Sequence, residues 1–108
     1  MKVLLDNCNP RRFKRQLQDQ DVAHAVERGW ATLSNGKLLR AAADAGFDVM
    51  LTVDKSLQHQ QNKAALPLPV ILIFAASNRE DDLVRALPKV RSLLNQALQR
   101  QVYEVPLA

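Results

Sequence analysis

Two short apolar runs, each closed by an aspartate, constrain the fold of this chain more than any other feature. They are residues 1–6 (MKVLLD) and 48–54 (DVMLTVD), and both contain Val and Leu without strict alternation. Such runs are typical of parallel strands that are buried on both faces of a sheet. Strand-like and helix-like patterns alternate along the whole chain, which favours helices on both faces. The sequence therefore predicts an α/β fold, a three-layer α/β/α sandwich around a central, mainly parallel sheet.

Shorter patterns predict the remaining elements. Further strands are expected over three apolar segments, residues 21–26, 70–75 and 102–105. Helices are expected at four places: residues 11–17 after Pro10, residues 34–45 with Ser34 as N-cap, a helix from the S-x-x-E capping box at Ser77, and residues 90–98 beyond Pro88. The chain contains no linker or repeat, so a single domain over residues 1–108 is expected.

Charge and cysteine content limit the partners and the compartment. The chain carries 15 Lys+Arg against 11 Asp+Glu, a net charge of +4, which fits either an anionic partner such as RNA or scattered surface charges. The single cysteine, Cys8, excludes an internal disulfide and a Cys-cluster zinc site, so a reducing, cytoplasmic compartment is expected. Neither a secretory signal nor a membrane partner is expected, because the apolar runs are too short.

The two aspartates that close the apolar runs indicate a functional site. If their strands are neighbours in one parallel sheet, Asp6 and Asp54 leave it at the same carboxyl edge, where open α/β sheets bind ligands. Two carboxylates brought together there repel each other, and a hard divalent cation such as Mg²⁺ relieves the repulsion. The alternative is that each aspartate caps the turn or helix that follows its strand.

Several segments resemble a known family. They are residues 4–10 (LLDNCNP), 29–39 (GWATLSNGKLL), 47–57 (FDVMLTVDKSL), 60–62 (QQN) and 70–78. As a set they are similar to the PIN-like domains of the Mut7-C/DUF5615 type, small relatives of PIN-domain nucleases. The resemblance implies a PIN-like sandwich, a carboxylate site for Mg²⁺ or Mn²⁺, and RNA cleavage. It also implies the toxin role in a bacterial toxin–antitoxin pair, beside a small antitoxin protein.

The resemblance and the position of the residues assign roles at this site. Asp6 and Asp54 become metal ligands, and Asn35, at the start of a helix, joins them in the catalytic set. Capping of the helix is the alternative role for Asn35. RNA contacts are expected from residues that follow the two aspartates, namely Arg11, Arg12, Lys14, Lys55 and Gln61. A solvated helix face is the alternative explanation of the basic residues.

Departures from the family pattern leave other functions open. Asn7 stands where the family usually carries Glu, and Lys37 replaces the Glu of an Asn-Gly-Glu motif. Both changes remove a negative charge, which favours a relative that binds RNA or a protein without cleavage. A third interpretation is a flavodoxin-like regulatory domain in which Asp54 is an acceptor. A homodimer remains open, and Cys8, near a helix start, is expected to be a somewhat acidic thiol.

Overall fold

Five parallel strands form one central sheet in the computed structural model, which describes residues 1–55, 57, 66–75, 77 and 79–106. The strands are β1 (Lys2–Leu5), β2 (Asp21–His24), β3 (Val49–Thr52), β4 (Val70–Phe74) and β5 (Val102–Pro106). Their spatial order is β2-β1-β3-β4-β5, and every neighbouring pair is parallel. The predicted α/β fold with a parallel central sheet is confirmed.

Helices cover both faces of this sheet. Three are α-helices, α1 (Asn35–Asp44), α2 (Glu80–Val84) and α3 (Leu87–Leu94), and two are 3₁₀ helices, Arg11–Leu17 and Ala25–Arg28. In the described part of the chain, no helix is long and apolar enough to cross a membrane.

The three central strands, β1, β3 and β4, are buried because successive side chains point to opposite faces and both faces are covered. The first face packs on the 3₁₀ helix Arg11–Leu17, α2 and α3, and its strand residues include Val3, Leu5, Val49, Leu51, Ile71 and Ile73. The second face packs on α1 and Phe47, and its strand residues include Leu4, Met50 and Val70. The core is therefore divided into two apolar layers with the sheet between them, which is the predicted three-layer sandwich.

The strand order reverses between β1 and β3. The chain passes from β1 to β2 on one side of β1, and then crosses to β3 on the other side. In open α/β sheets, ligands bind outside the carboxyl ends of the strands at such a reversal, because the loops there diverge and leave a crevice. Leu5 lies opposite Leu51 in the register, and the Asp6 N–H donates to the Leu51 carbonyl at 3.1 Å. The loop after β1 therefore starts at the reversal point.

Two predictions about the second half of the chain are wrong in detail. The capping box at Ser77 does not form, since α2 begins at Glu80 with Arg79 as its N-cap. The Ser77 hydroxyl instead donates to the Asp82 carboxylate and accepts from the Arg79 N–H at 3.1 Å. The helix expected over residues 90–98 starts earlier and ends at Leu94.

The end of β2 and the start of α1 also differ from what the sequence predicts. The strand expected over residues 21–26 ends at His24, because the main chain turns there into the second 3₁₀ helix. Ser34 precedes α1 as expected, but its side chain makes no capping hydrogen bond. In both cases the element forms where the sequence predicts it and only its end differs.

Candidate functional site

Four polar side chains of the described residues are buried, and they form one hydrogen-bonded group at the reversal point. They are Asp6, Asn9, His24 and Thr52, each at most 3% exposed. Burying a polar side chain costs free energy unless its hydrogen bonds are made inside the protein. Because these four buried polar side chains lie together, the carboxyl end of β1 is the candidate site.

Asp6 is the charged member of this group. One carboxylate oxygen, Oδ2, accepts a hydrogen bond from the Thr52 hydroxyl, and the other, Oδ1, accepts from the Cys8 N–H at 3.2 Å. The Asn9 N–H donates to the Asp6 carbonyl at 3.1 Å, which closes a tight turn after β1. Asp6 therefore also has the turn-capping role that the sequence left as an alternative.

Burial makes the ionised form of Asp6 costly. Desolvation raises the pKa of Asp6 to about 6, and the nearby charge of Asp54 also raises it. Hydrogen bonds from the Thr52 hydroxyl and from the main chain of Cys8 and Asn9 oppose this shift. Desolvation prevails, because the carboxylate is only 1% exposed.

Asp54 lies near Asp6, and Asn35 contacts Asp54. Asp54 follows β3 and is partly exposed, and its N–H donates to Thr52 Oγ1 at 3.0 Å. Thr52 Oγ1 therefore joins the Asp6 carboxylate to the main chain of Asp54. Asn35, the first residue of α1, donates from Nδ2 to Asp54 Oδ2 at 2.9 Å. The fold brings all three predicted catalytic residues to one edge of the sheet.

Asp6 and Asp54 bring two carboxylates, the ligand type that a hard divalent cation prefers, to this edge. Mg²⁺ binds one or two protein carboxylates and keeps several waters. Asp54 is the more accessible carboxylate, whereas both oxygens of Asp6 already accept hydrogen bonds. Within the described ranges, no group of three or more His, Cys, Asp or Glu side chains is arranged to hold a metal. At this edge Asp54 has the more accessible oxygens, and Asp6 could contribute an oxygen to a cation only beside its existing hydrogen bonds.

The residues next to Asp6 differ from the sequence expectations. Burial raises the pKa of the Cys8 thiol, and the charges of Asp6 and Asp54 raise it further, so the expected acidic thiol is wrong. Asn7 Nδ2 donates to the Trp30 carbonyl at 3.2 Å, while its Oδ1 is a buried acceptor with no hydrogen-bond partner among the described residues. Asn7 therefore anchors the loop that carries Trp30.

The predicted RNA-contacting residues differ in exposure, ion pairing and location. Arg11 and Arg12 are exposed on the first 3₁₀ helix, and Lys14 makes an ion pair with Glu27 at 3.1 Å. Together with Arg15, these three line an open cavity of about 470 Å³ beside β2. Lys55, after Asp54, is exposed, and Gln61 lies outside the described residues.

Sequence reasoning missed three members of the buried group, Asn9, His24 and Thr52. Thr52 carried a usable signal, because it is a hydroxyl residue inside an otherwise apolar strand, two positions before Asp54. His24 carried a weaker one, as a polar residue near the end of an apolar segment. Asn9 had none, because a turn-forming role accounts for an Asn before Pro10 equally well.

Comparison with protein-family models, curated proteins and solved structures finds no match for this chain. The resemblance to PIN-like domains therefore rests on the residues quoted for it.

The pKa of Asp6 makes the stability of the metal-free protein depend on pH. Between its ordinary value of 3.8 and about 6, the folded chain holds a proton at Asp6 that the unfolded chain has lost. Asp6 therefore lowers the free energy of unfolding as the pH rises through this window, by about 3 kcal/mol in all. Asp6→Asn removes this titration, so we expect its stability relative to wild type to rise by about that amount between about pH 4 and pH 7.

Urea unfolding of the two proteins across this pH range measures the difference. Asp21→Asn is the control, because Asp21 is exposed in β2. Parallel stability curves for wild type and Asp6→Asn would contradict the raised pKa of Asp6.

Proposed function

We propose that this chain is a Mg²⁺- or Mn²⁺-dependent endoribonuclease of the PIN-like kind that acts in the cytoplasm. The observation that supports this most is the Asp6 carboxylate, buried beside Asp54 at the reversal of strand order. Asparagine at position 6 would cap the same turn without the cost of burying a charge. A carboxylate retained where it destabilises the fold is typical of functional sites.

The chemistry follows from the residues at the sheet edge. Asp6 and Asp54 would hold the cation, which when bound supplies positive charge against an RNA phosphate and makes water more acidic. Asn35 orients the Asp54 carboxylate through its amide, and the Thr52 hydroxyl fixes Asp6. Such contacts restrict the rotation of both carboxylates before a substrate arrives, which is the preorganisation that phosphoryl chemistry requires.

RNA is the substrate class that best fits the surface beside this site. The first 3₁₀ helix follows Asp6 after one tight turn, and its exposed guanidinium groups can neutralise backbone phosphates. The resemblance to PIN-like domains adds a small cognate antitoxin as the protein partner of a bacterial toxin. Asn7 and Lys37 support the alternative that the chain binds RNA or a protein without cleavage.

One observation favours a second candidate function, a phosphate-accepting regulatory domain. The strand order β2-β1-β3-β4-β5 is that of flavodoxin-like folds, and Asp54 follows the third strand, beside Asp6. Incubation with acetyl phosphate and Mg²⁺ distinguishes the two candidates. Transfer of the phosphoryl group to the Asp54 carboxylate releases acetate and increases the protein mass, and it is abolished in Asp54→Asn. A nuclease leaves the protein unmodified.

Metal titration tests the proposed function directly. Calorimetry with Mn²⁺ should detect one weak site, because two carboxylates supply little charge, and Mn²⁺ should bind more tightly than Mg²⁺. Asp6→Asn and Asp54→Ala should each abolish binding and the cleavage of single-stranded RNA, whereas Asp21→Asn should change neither. Binding that is unchanged in Asp6→Asn would remove Asp6 from the site, and Mn²⁺ binding without cleavage would favour the binding-only alternative.

A carboxylate at position 7 should strengthen cation binding at the site. We expect Asn7→Glu to bind Mn²⁺ about tenfold more tightly and to cleave RNA faster, because ligand charge increases affinity. The variant should be less stable without metal, since it loses the hydrogen bond to the Trp30 carbonyl and adds a charge next to Asp6. Asn7→Gln, which changes length without adding charge, is the control. Equal Mn²⁺ affinity in the two variants would show that a third carboxylate is dispensable.

The salt dependence of RNA binding tests the basic helix. The double variant Arg11→Ala/Arg12→Ala should reduce the slope of log affinity against log salt by about 0.7 for each phosphate that the helix no longer neutralises. Lys89→Ala/Arg100→Ala removes the same charge from exposed positions outside the basic helix and should leave the slope unchanged. Equal slopes in both double variants would place the RNA elsewhere. Fluorescence anisotropy with a labelled single strand provides the measurement.

A further inference from the structure

Two members of the buried group, Asn9 and His24, make contacts that converge on Asp6. Nδ1 of His24 accepts a hydrogen bond from the Val26 N–H at 3.1 Å, so this nitrogen carries no proton. The hydrogen of the neutral ring is therefore on Nε2, which donates to the Asn9 carbonyl at 2.7 Å. The ring fixes the main chain of Asn9 from the end of β2.

The side chain of Asn9 continues this chain of contacts toward Asp6. Its amide nitrogen faces two acceptors, Asp6 Oδ1 at 2.8 Å and the Leu51 carbonyl at 2.7 Å. The opposite orientation would set the amide oxygen against these same oxygens, so the nitrogen is assigned to this side. Asn9 therefore connects the carboxylate of Asp6 to the main chain of β3.

We propose that Asn9 and His24 are positioning residues that hold the Asp6 carboxylate ready for a cation, an inference that rests on the proposed function. Asn9 donates to Asp6 Oδ1 directly, and His24 acts only through Asn9. The edge strand β2 thus contributes to a site whose carboxylates follow β1 and β3. Outer contacts of this kind typically change metal affinity by about 10–100-fold when they are removed.

Purely structural roles are the competing explanation. His24 also begins the second 3₁₀ helix, because its N–H donates to Glu27 Oε1 at 2.9 Å while its ring accepts from Val26. A structural role would appear as reduced stability in any variant that disturbs this cap. A positioning role would appear as weaker metal binding only in variants whose side chain at position 24 no longer reaches Asn9. These two consequences can be separated by the length of the side chain.

His24→Gln and His24→Asn form a matched pair for this purpose. Glutamine is long enough to place its amide nitrogen near the position of Nε2, and so can still donate to the Asn9 carbonyl. Asparagine is a good N-cap and can still accept from the Val26 N–H, but it is too short to reach Asn9. We expect Mn²⁺ affinity close to wild type in His24→Gln and about tenfold weaker affinity in His24→Asn.

A metal-free measurement keeps the two proposals distinguishable. By NMR, solvent exchange of the Asn9 side-chain NH₂ should be slow in wild type and His24→Gln and faster in His24→Asn. Equal exchange in the two variants, or equal Mn²⁺ affinity where wild type binds Mn²⁺, overturns the positioning role. If wild type does not bind Mn²⁺, the proposed function is overturned instead, and so is the proposal that Asn9 and His24 hold Asp6 for a cation. Asn9→Ala, which removes the donor directly, should weaken Mn²⁺ binding at least as much as His24→Asn, and a smaller effect also contradicts the proposal.

Discussion

The desolvation of one carboxylate, Asp6, is the constraint on which the rest of the site depends. A charge that is 1% exposed must be stabilised by nearby donors, by a proton or by a cation. The chain supplies a hydroxyl from Thr52, a main-chain N–H from Cys8 and the amide of Asn9. The Thr52 hydroxyl and the main chain of Cys8 and Asn9 do not fully offset burial, since with these donors the pKa of Asp6 remains raised to about 6. Added positive charge would therefore stabilise the ionised Asp6 carboxylate of the metal-free protein.

The parallel sheet explains why the buried Asp6 carboxylate lies at this position. Strands β1 and β3 are neighbours, and the chain leaves them in the same direction, so Asp6 and Asp54 emerge together. Apolar layers cover the two faces of the sheet, and the polar side chains that follow β1 and β3 meet at its carboxyl edge. α1 contributes Asn35 to this edge, and the basic 3₁₀ helix begins shortly after Asp6 and lines a cavity beside β2. Under the proposed function, a cation and an RNA phosphate would bind at this edge.

Much of this arrangement could be predicted from the sequence, for reasons that are local. Apolar runs predicted the strands, and the aspartates that close two of them predicted the edge where the site lies. The parts that could not be predicted depend on contacts between distant segments. His24 meets Asn9 only because β2 lies beside β1, and the thiol of Cys8 is not acidic because burial and two carboxylates oppose its ionisation. Ser77 fits a capping motif, but its hydroxyl bonds to Asp82 and α2 starts later.

The central claim is that Asp6 and Asp54 share a divalent cation at the reversal of the strand order. Diffraction from crystals soaked in Mn²⁺, with data collected near the manganese absorption edge, tests it most directly. We expect one anomalous peak within coordination distance of carboxylate oxygens from both residues, and no such peak in crystals of Asp6→Asn. A peak elsewhere on the molecule, or a peak that persists unchanged in Asp6→Asn, would contradict the account.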